Sequence, residues 1–209
     1  MASVAELEAF VAARRRALGP AHADTLTAML DLAEALWAAG RFSRARPLEE
    51  AVVAGRRALF GDAHPETLKA LGKLAVTVGQ QGDLAGARRL QEQVVAGLRA
   101  LFGDESRDTL RAVNNLAGTV AALGEAEEAG AMLDGAIATL TRLFGAEDGD
   151  TLTAMGNFAA LLWQYGERED GFALQEEVAA ALRRTRGADD PASRNAQAVL
   201  DLMLRDMGF

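Results

Sequence analysis

The stretch HPETLKALGKLAVTVGQQGDLAGARRLQEQVVAGLRALFG, residues 64–103, decides the fold. Its first half places Leu71, Leu74, Ala75 and Val78 at steps of three, one and three residues, the spacing of one helix face. After Gly82 the same spacing resumes with Leu84, Ala87, Leu90, Val94, Val95 and Leu101. His64 stands ahead of Pro65, the order of a capping residue followed by an N1 proline. Gly82 and Gly103 each follow the last apolar residue of a run, where a left-handed C′ position costs glycine least. The segment reads as two helices of about four turns each, hinged at Gly82.

The same segment recurs along the whole chain. Gly19, Gly61, Gly103, Gly145 and Gly187 are 42 residues apart, and so are Gly40, Gly82, Gly124, Gly166 and Gly208. Thr25-Leu26, Thr67-Leu68, Thr109-Leu110 and Thr151-Leu152 keep the period, as does a cap column of His22, His64, Ser106, Asp148 and Asp190. A fixed period of this length marks a repeat architecture in which each hairpin must stack on its neighbours to bury both faces. Helices are expected over about 3–17, 23–39, 42–59, 65–81, 84–101, 107–123, 126–143, 149–165, 168–185 and 191–206. The fold expected is all-α, an α-solenoid of antiparallel helix hairpins forming one array over 1–209. It divides into an orphan second helix (1–18), hairpins at 19–60, 61–102, 103–144 and 145–186, and a carboxyl-terminal capping helix (187–209). That last helix carries Arg194, Gln197 and Asp201 where the second segment has Leu26, Met29 and Ala33, while Leu200 and Leu204 stay apolar. It is expected to wet one face and bury the other.

Residues 64–103 resemble the 42-residue tetratricopeptide repeats of kinesin light chains, and Thr109-Leu110-Arg111-Ala112-Val113-Asn114-Asn115-Leu116-Ala117 is similar to that family's first helix. The resemblance implies a right-handed superhelix whose first helices line a concave groove for an extended peptide. It leaves the partner open, because fold alone does not assign function.

Composition narrows the classes. A formal charge of −8 and a pI near 4.9 argue against nucleic acid and anionic membrane, both of which select basic surfaces. With no cysteine, disulfides, thiolate metal sites and cysteine nucleophiles are excluded. The amino terminus reverses the order of a signal peptide, with its arginines after the apolar residues, and no apolar run approaches the length of a membrane span. A cytoplasmic protein is expected. The initiating Met reads as a true start, and Gly208-Phe209 falls where another second helix would begin.

Catalytic material is thin. His22 and His64 share the cap position, and no phosphate loop, nucleophile elbow or zinc-protease motif occurs. No catalytic residue, metal ligand or cofactor is assigned. On the second helices Glu8, Glu50, Glu92, Asp134 and Glu176 form one ladder and Arg15, Arg57, Arg99 and Arg183 another, which read as a solvated outer face. On the first helices, the position that the resemblance assigns to peptide-clamping Asn holds Asp31, Lys73, Asn115 and Asn157. Lys69, Lys73 and Arg111 gather positive charge in an acidic chain, beside Asn114 and Asn115, and Trp163 and Gln164 offer a flat contact and an amide. The site expected is therefore a groove of Lys69, Lys73, Arg111, Asn114, Asn115, Asn157, Trp163 and Gln164 that holds a protein or peptide through an acidic segment or chain terminus. Two alternatives stand beside it. One is an enzyme or small-molecule binder built on Asp31, Glu34 and Trp37; the other is a homo-oligomer docking through Met203, Leu204, Met207 and Phe209.

Overall fold

The computed structural model describes residues 2–208, and these contain ten α-helices. They are α1 (Val4–Leu18), α2 (Ala23–Ala38), α3 (Phe42–Phe60), α4 (Pro65–Gln80), α5 (Leu84–Phe102), α6 (Arg107–Ala122), α7 (Ala126–Phe144), α8 (Gly149–Gln164), α9 (Arg168–Arg186) and α10 (Pro191–Asp206). Every expected helix is present, with ends displaced by one residue at most. The chain forms two compact units, Met1–Ala112 and Val113–Phe209, whose boundary falls within α6. In the first, α1 packs on α2, α2 on α3, α3 on α4 and α4 on α5; in the second, α7 packs on α8, α8 on α9 and α9 on α10.

The cap column does what its chemistry requires. His22 Nδ1 and His64 Nδ1 accept the amide N–H of Asp24 and Glu66, each at 3.2 Å. Asp148 and Asp190 accept from Asp150 and Ala192 at 3.0 and 2.9 Å, and Ser106 Oγ accepts from Thr109 at 3.1 Å. Each helix start thereby gains a partner for an amide that the helix itself leaves unpaired.

The two glycine columns end helices differently. At Gly40 the amide donates to Trp37 O (2.9 Å) and the next amide, Arg41, to Leu36 O (2.8 Å), the paired bonds of a Schellman turn with the glycine at positive φ (70°). Gly61 departs from the left-handed cap expected there: its φ of 89° comes with ψ 171°, an extended backbone open essentially only to glycine. The reason lies six residues on. Thr67 Oγ1 donates to the Gly61 carbonyl at 2.8 Å, which fixes the direction in which that carbonyl points. Thr109 and Thr151 repeat the bond to Gly103 and Gly145 at 2.8 and 2.9 Å, so these three threonines tie α4, α6 and α8 to the joint before each of them.

Most of the apolar positions read from the sequence form the core, but Leu84 and Leu90 are half-buried and Leu101, at the end of α5, is 43% exposed. Leu68, Leu71, Leu74, Ala75 and Val78 of α4 are buried, as are Ala87, Val94 and Val95 of α5. Full burial of one such leucine or valine contributes about 1.5–3 kcal/mol. Gly97 lets α5 approach α4 closely, since a Cβ there would lie 2.5 Å from Leu68 Cδ2; Gly55 and Leu26 repeat the contact one period earlier. In the second unit Leu152, Met155, Val178, Leu182, Ala196 and Leu200 form a continuous cluster.

On α10, Arg194 and Asp201 are exposed, and Gln197 Nε2 donates to Asp201 Oδ1 at 2.9 Å. Of the apolar residues expected to dock at the carboxyl end, Met203 belongs instead to the core at 5% exposure, Leu204 is half-buried and Met207 is exposed. Leu202 is the exposed apolar residue of that helix instead, at 62%; Phe209 lies outside the described residues.

Candidate functional site

The first-helix residues singled out in sequence fall in both units. Lys69, Lys73 and Arg111 belong to the first; Asn114, Asn115, Asn157, Trp163 and Gln164 belong to the second.

In the first unit Lys69 and Arg111 are exposed, at equivalent positions of α4 and α6. Lys73 is different. It is half-buried, and its Nζ lies 2.6 Å from Glu34 Oε1 of α2. The positive cluster inferred from sequence is therefore partly neutralised, because the Lys73 charge is engaged by a carboxylate of the preceding repeat. The signal for this pair was available: Glu34 and Lys73 are 39 residues apart, one period less three, which puts opposite charges on facing first helices.

Behind that pair lies a residue the sequence reading passed over. Glu49 of α3 is 3% exposed. Its Oε1 accepts a hydrogen bond from Thr77 Oγ1 at 3.0 Å, while its Oε2 is buried without a partner. Burial raises the Glu49 carboxyl above the ordinary glutamate range; the Thr77 bond and the charge of Lys73 pull it back, and Glu34 and Glu50 push it further up. Glu49 hides in the sequence because its register column, Leu7, Glu49, Gln91, Leu133 and Gln175, mixes apolar and amide residues and carries one acid. Gln175 shows the structural use of the column, donating to Ala196 O at 2.9 Å. Glu49 lines a cavity of about 380 Å³ with Glu34, Trp37, Lys73 and Val76. Trp37, 39% exposed, is held edge-on to Phe42 with ring centroids 5.8 Å apart.

In the second unit Asn157 Nδ2 donates to Asn114 Oδ1 at 3.0 Å, joining α8 to α6, so one amide of the expected clamp column is partly committed to the neighbouring groove residue Asn114. Asn114 is buried, and Asn115, Asn157 and Gln164 are exposed. Trp163 is half-buried with the Arg168 guanidinium 5.2 Å from its ring centre, and Arg168 is itself paired with Asp206 at 3.1 Å. The flat face expected of Trp163 thus carries a cation already. Tyr165, also unremarked in the sequence, donates from its hydroxyl to Ala121 O at 3.1 Å. A second cavity, about 300 Å³, lies among α8, α9 and α10, lined by Asn157, Gln175, Arg186 and Asn195 among others.

Many second-helix charges are engaged in ion pairs, some within a helix or joint and some between helices, as in Arg44 of α3 with Glu8 of α1. Arg46 pairs with Glu50 and Arg88 with Glu92, each at 2.8 Å, and Arg57 and Arg99 pair with Asp62 and Asp104. Exposed pairs of this kind contribute little to stability. Buried Arg56 has another use, joining α3 to α4 through Glu66 O (2.9 Å) and Glu66 Oε2 (2.8 Å). Among the described residues no group of three or more His, Cys, Asp or Glu side chains could hold a metal ion, and no helix is long and apolar enough to cross a membrane.

Stacked, capped hairpins with this joint chemistry define a helical repeat protein. The tetratricopeptide repeat pattern matches residues 25–66, 67–108, 109–150 and 151–192, and the chain belongs to that family. The matched units have the period read from the sequence and begin six residues later, at the threonine rather than at the glycine. Among solved structures the chain is similar to a Podosopora anserina kinesin light chain-like protein with nearly identical TPR-like repeats. The identity is 28%, the TM-score 0.73, and the match covers 88% of this chain and 87% of that one. A variant of that protein matches at 28% identity and a TM-score of 0.76, covering 88% and 86%. BtubC (BKLC) from P. vanneervenii shares the fold at 19% identity and a TM-score of 0.76, over 99% of this chain and 83% of that one. No curated protein shows significant sequence similarity to the chain. Tetratricopeptide arrays are scaffolds typical of protein–protein interaction and are generally non-catalytic.

Proposed function

We propose that this chain is a non-enzymatic cytoplasmic scaffold that binds a protein or peptide on its first-helix faces, where carboxylates of an acidic segment or chain terminus meet Lys69 and Arg111. One observation carries the reading: first helices present exposed Lys69, Arg111, Asn115, Asn157 and Gln164 at register positions where apolar packing asks for none of them. Cations and amides of this kind meet carboxylates and peptide backbone through charge-assisted and neutral hydrogen bonds. Lys73 contributes less than its position suggests, because Glu34 holds it.

The test is a pull-down from the native host followed by titration of the captured partner against wild type and a Lys69→Ala, Arg111→Ala variant. Affinity is expected to fall by about tenfold or more at low salt, with the gap narrowing as salt screens the exposed charges. Equal affinities at low salt would overturn the assignment.

A further inference from the structure

The cavity of the first unit is built for a ligand group of opposite charge to the one proposed above. Its wall holds two carboxylates, Glu34 and Glu49, against one ammonium, Lys73. Glu34 and Lys73 satisfy each other, which leaves the charge of Glu49 over. The orphan Oε2 of Glu49 is an acceptor withdrawn from water, and such an atom destabilises the fold unless something donates to it. The repeat does not require an acid there, since Leu133 fills the same register position with an apolar side chain.

We infer that this cavity receives an alkylammonium group, the end of a lysine side chain on a partner peptide, with the nitrogen donating to Glu49 Oε2 and the methylenes lying along Trp37 and Val76. Each alternative class fits worse. An anion meets Glu34 and Glu49. A guanidinium fork seeks two acceptor oxygens, and Thr77 already occupies one of the Glu49 pair. A wholly apolar group leaves Oε2 desolvated and unpaired. A compact ammonium, a rotatable point charge with three donors, can bond Glu49 with one N–H and turn the others to Glu34 or solvent, gains from the face of Trp37, and carries an apolar stem suited to the rest of the wall. About 380 Å³ accommodates that side chain with room to spare.

Binding is also linked to protons. Glu34 of α2, Lys73 of α4 and Glu50 of α3 are the charged groups acting on Glu49, and together with burial they leave its carboxyl easier to protonate than an ordinary glutamate. An incoming ammonium favours the ionised form, so affinity rises with pH through the Glu49 titration.

The inference rests on the peptide-binding reading only for the source of the lysine, and a small probe tests the cavity by itself. The full chain is titrated with Nα-acetyl-lysine methylamide while the indole N–H signal of Trp37 is followed by NMR; the norleucine and Nε-acetyl-lysine analogues serve as uncharged controls. The expected result is saturable movement of the Trp37 signal with the lysine probe, at least tenfold weaker for both controls and for Glu49→Gln, and stronger at pH 8 than at pH 5. Lys73→Met, which removes the resident competitor, is expected to tighten the probe at least threefold. Uncharged probes binding as well as lysine, or Glu49→Gln binding the lysine probe with wild-type affinity, would overturn the inference whether or not Lys69 and Arg111 bind acidic segments.

Discussion

Thr67 and Thr25 occupy one register position and are both fully buried, yet their hydroxyls are in opposite states. Thr67 Oγ1 donates to Gly61 O at 2.8 Å, while Thr25 Oγ1 has no partner. Valine reproduces the shape of either side chain and deletes only the hydroxyl. Thr67→Val forfeits a hydrogen bond worth about 1 kcal/mol net, and because Gly61 is exposed its carbonyl can turn to water, which holds the loss near that figure. Thr25→Val removes a desolvated, unpaired hydroxyl and is expected to return about 1 kcal/mol. The two substitutions, alike in chemistry, should then differ by about 2 kcal/mol, roughly thirtyfold in the local unfolding constant. Repeat arrays need not unfold in one step, so native-state hydrogen exchange at the amides of α2 and α4 is the assay of choice, with urea denaturation alongside. If Thr25→Val opens α2 as readily as Thr67→Val opens α4, the threonine column acts by packing alone and the hydrogen-bond account is wrong.

Glu49→Gln should change the pH profile of stability. A carboxyl raised in the folded state favours folding while protonated; that contribution is present below the unfolded glutamate value near ~4.3 and is lost as pH rises through the folded one. Wild type is expected to lose stability relative to the variant as pH rises above the unfolded glutamate value, and a pH-independent gap in urea midpoints would refute this. His64→Ala should cost about 1 kcal/mol through the lost cap on α4, while His64→Asp, a better acceptor at that position, should hold wild-type stability in the same denaturation assay. Gly61→Ala meets no atom within 4 Å, so any loss is conformational; about 1–3 kcal/mol is expected from its backbone at φ 89°, and a neutral result would show that the joint relaxes.

The architecture was legible because every joint is written in a residue type with few other reasons to recur. Glycine at positive φ and a side-chain acceptor at the cap are local demands, and a 42-residue period repeats them without interruption. The threonine column was equally visible as a pattern, but its purpose was not: the bond to a carbonyl six residues back depends on how the joint bends. The binding surface was less legible still. Lys73 looked like an open cation because its column was compared only with itself, and the carboxylate that holds it lies on another column. Glu49 was passed over because a second-helix acid reads as solvated unless burial is known, and burial here comes from α4 and the Trp37 side of α2 rather than from its own helix. The Arg168 guanidinium over Trp163 was likewise not visible, because the two partners of that contact lie in different helices of one hairpin.

The uniform joints have a consequence for how such a chain can change length. Excising residues 67–108 would set Thr109 directly after Glu66, rejoining threonine to the His64 cap in the register found at Thr67 and preserving every type of helix end. Glu49 would even regain a hydroxyl partner type, because Thr119 holds the position of Thr77. The cavity would not survive the same edit: Lys73 would give way to Asn115 and Val76 to Gly118, leaving Glu34 with an amide in place of its counter-ion. Duplication and loss of whole units can thus lengthen or shorten the repeat series at little structural risk while rewriting its recognition chemistry in a single event, so that ancestry preserves the hinges and discards the reader.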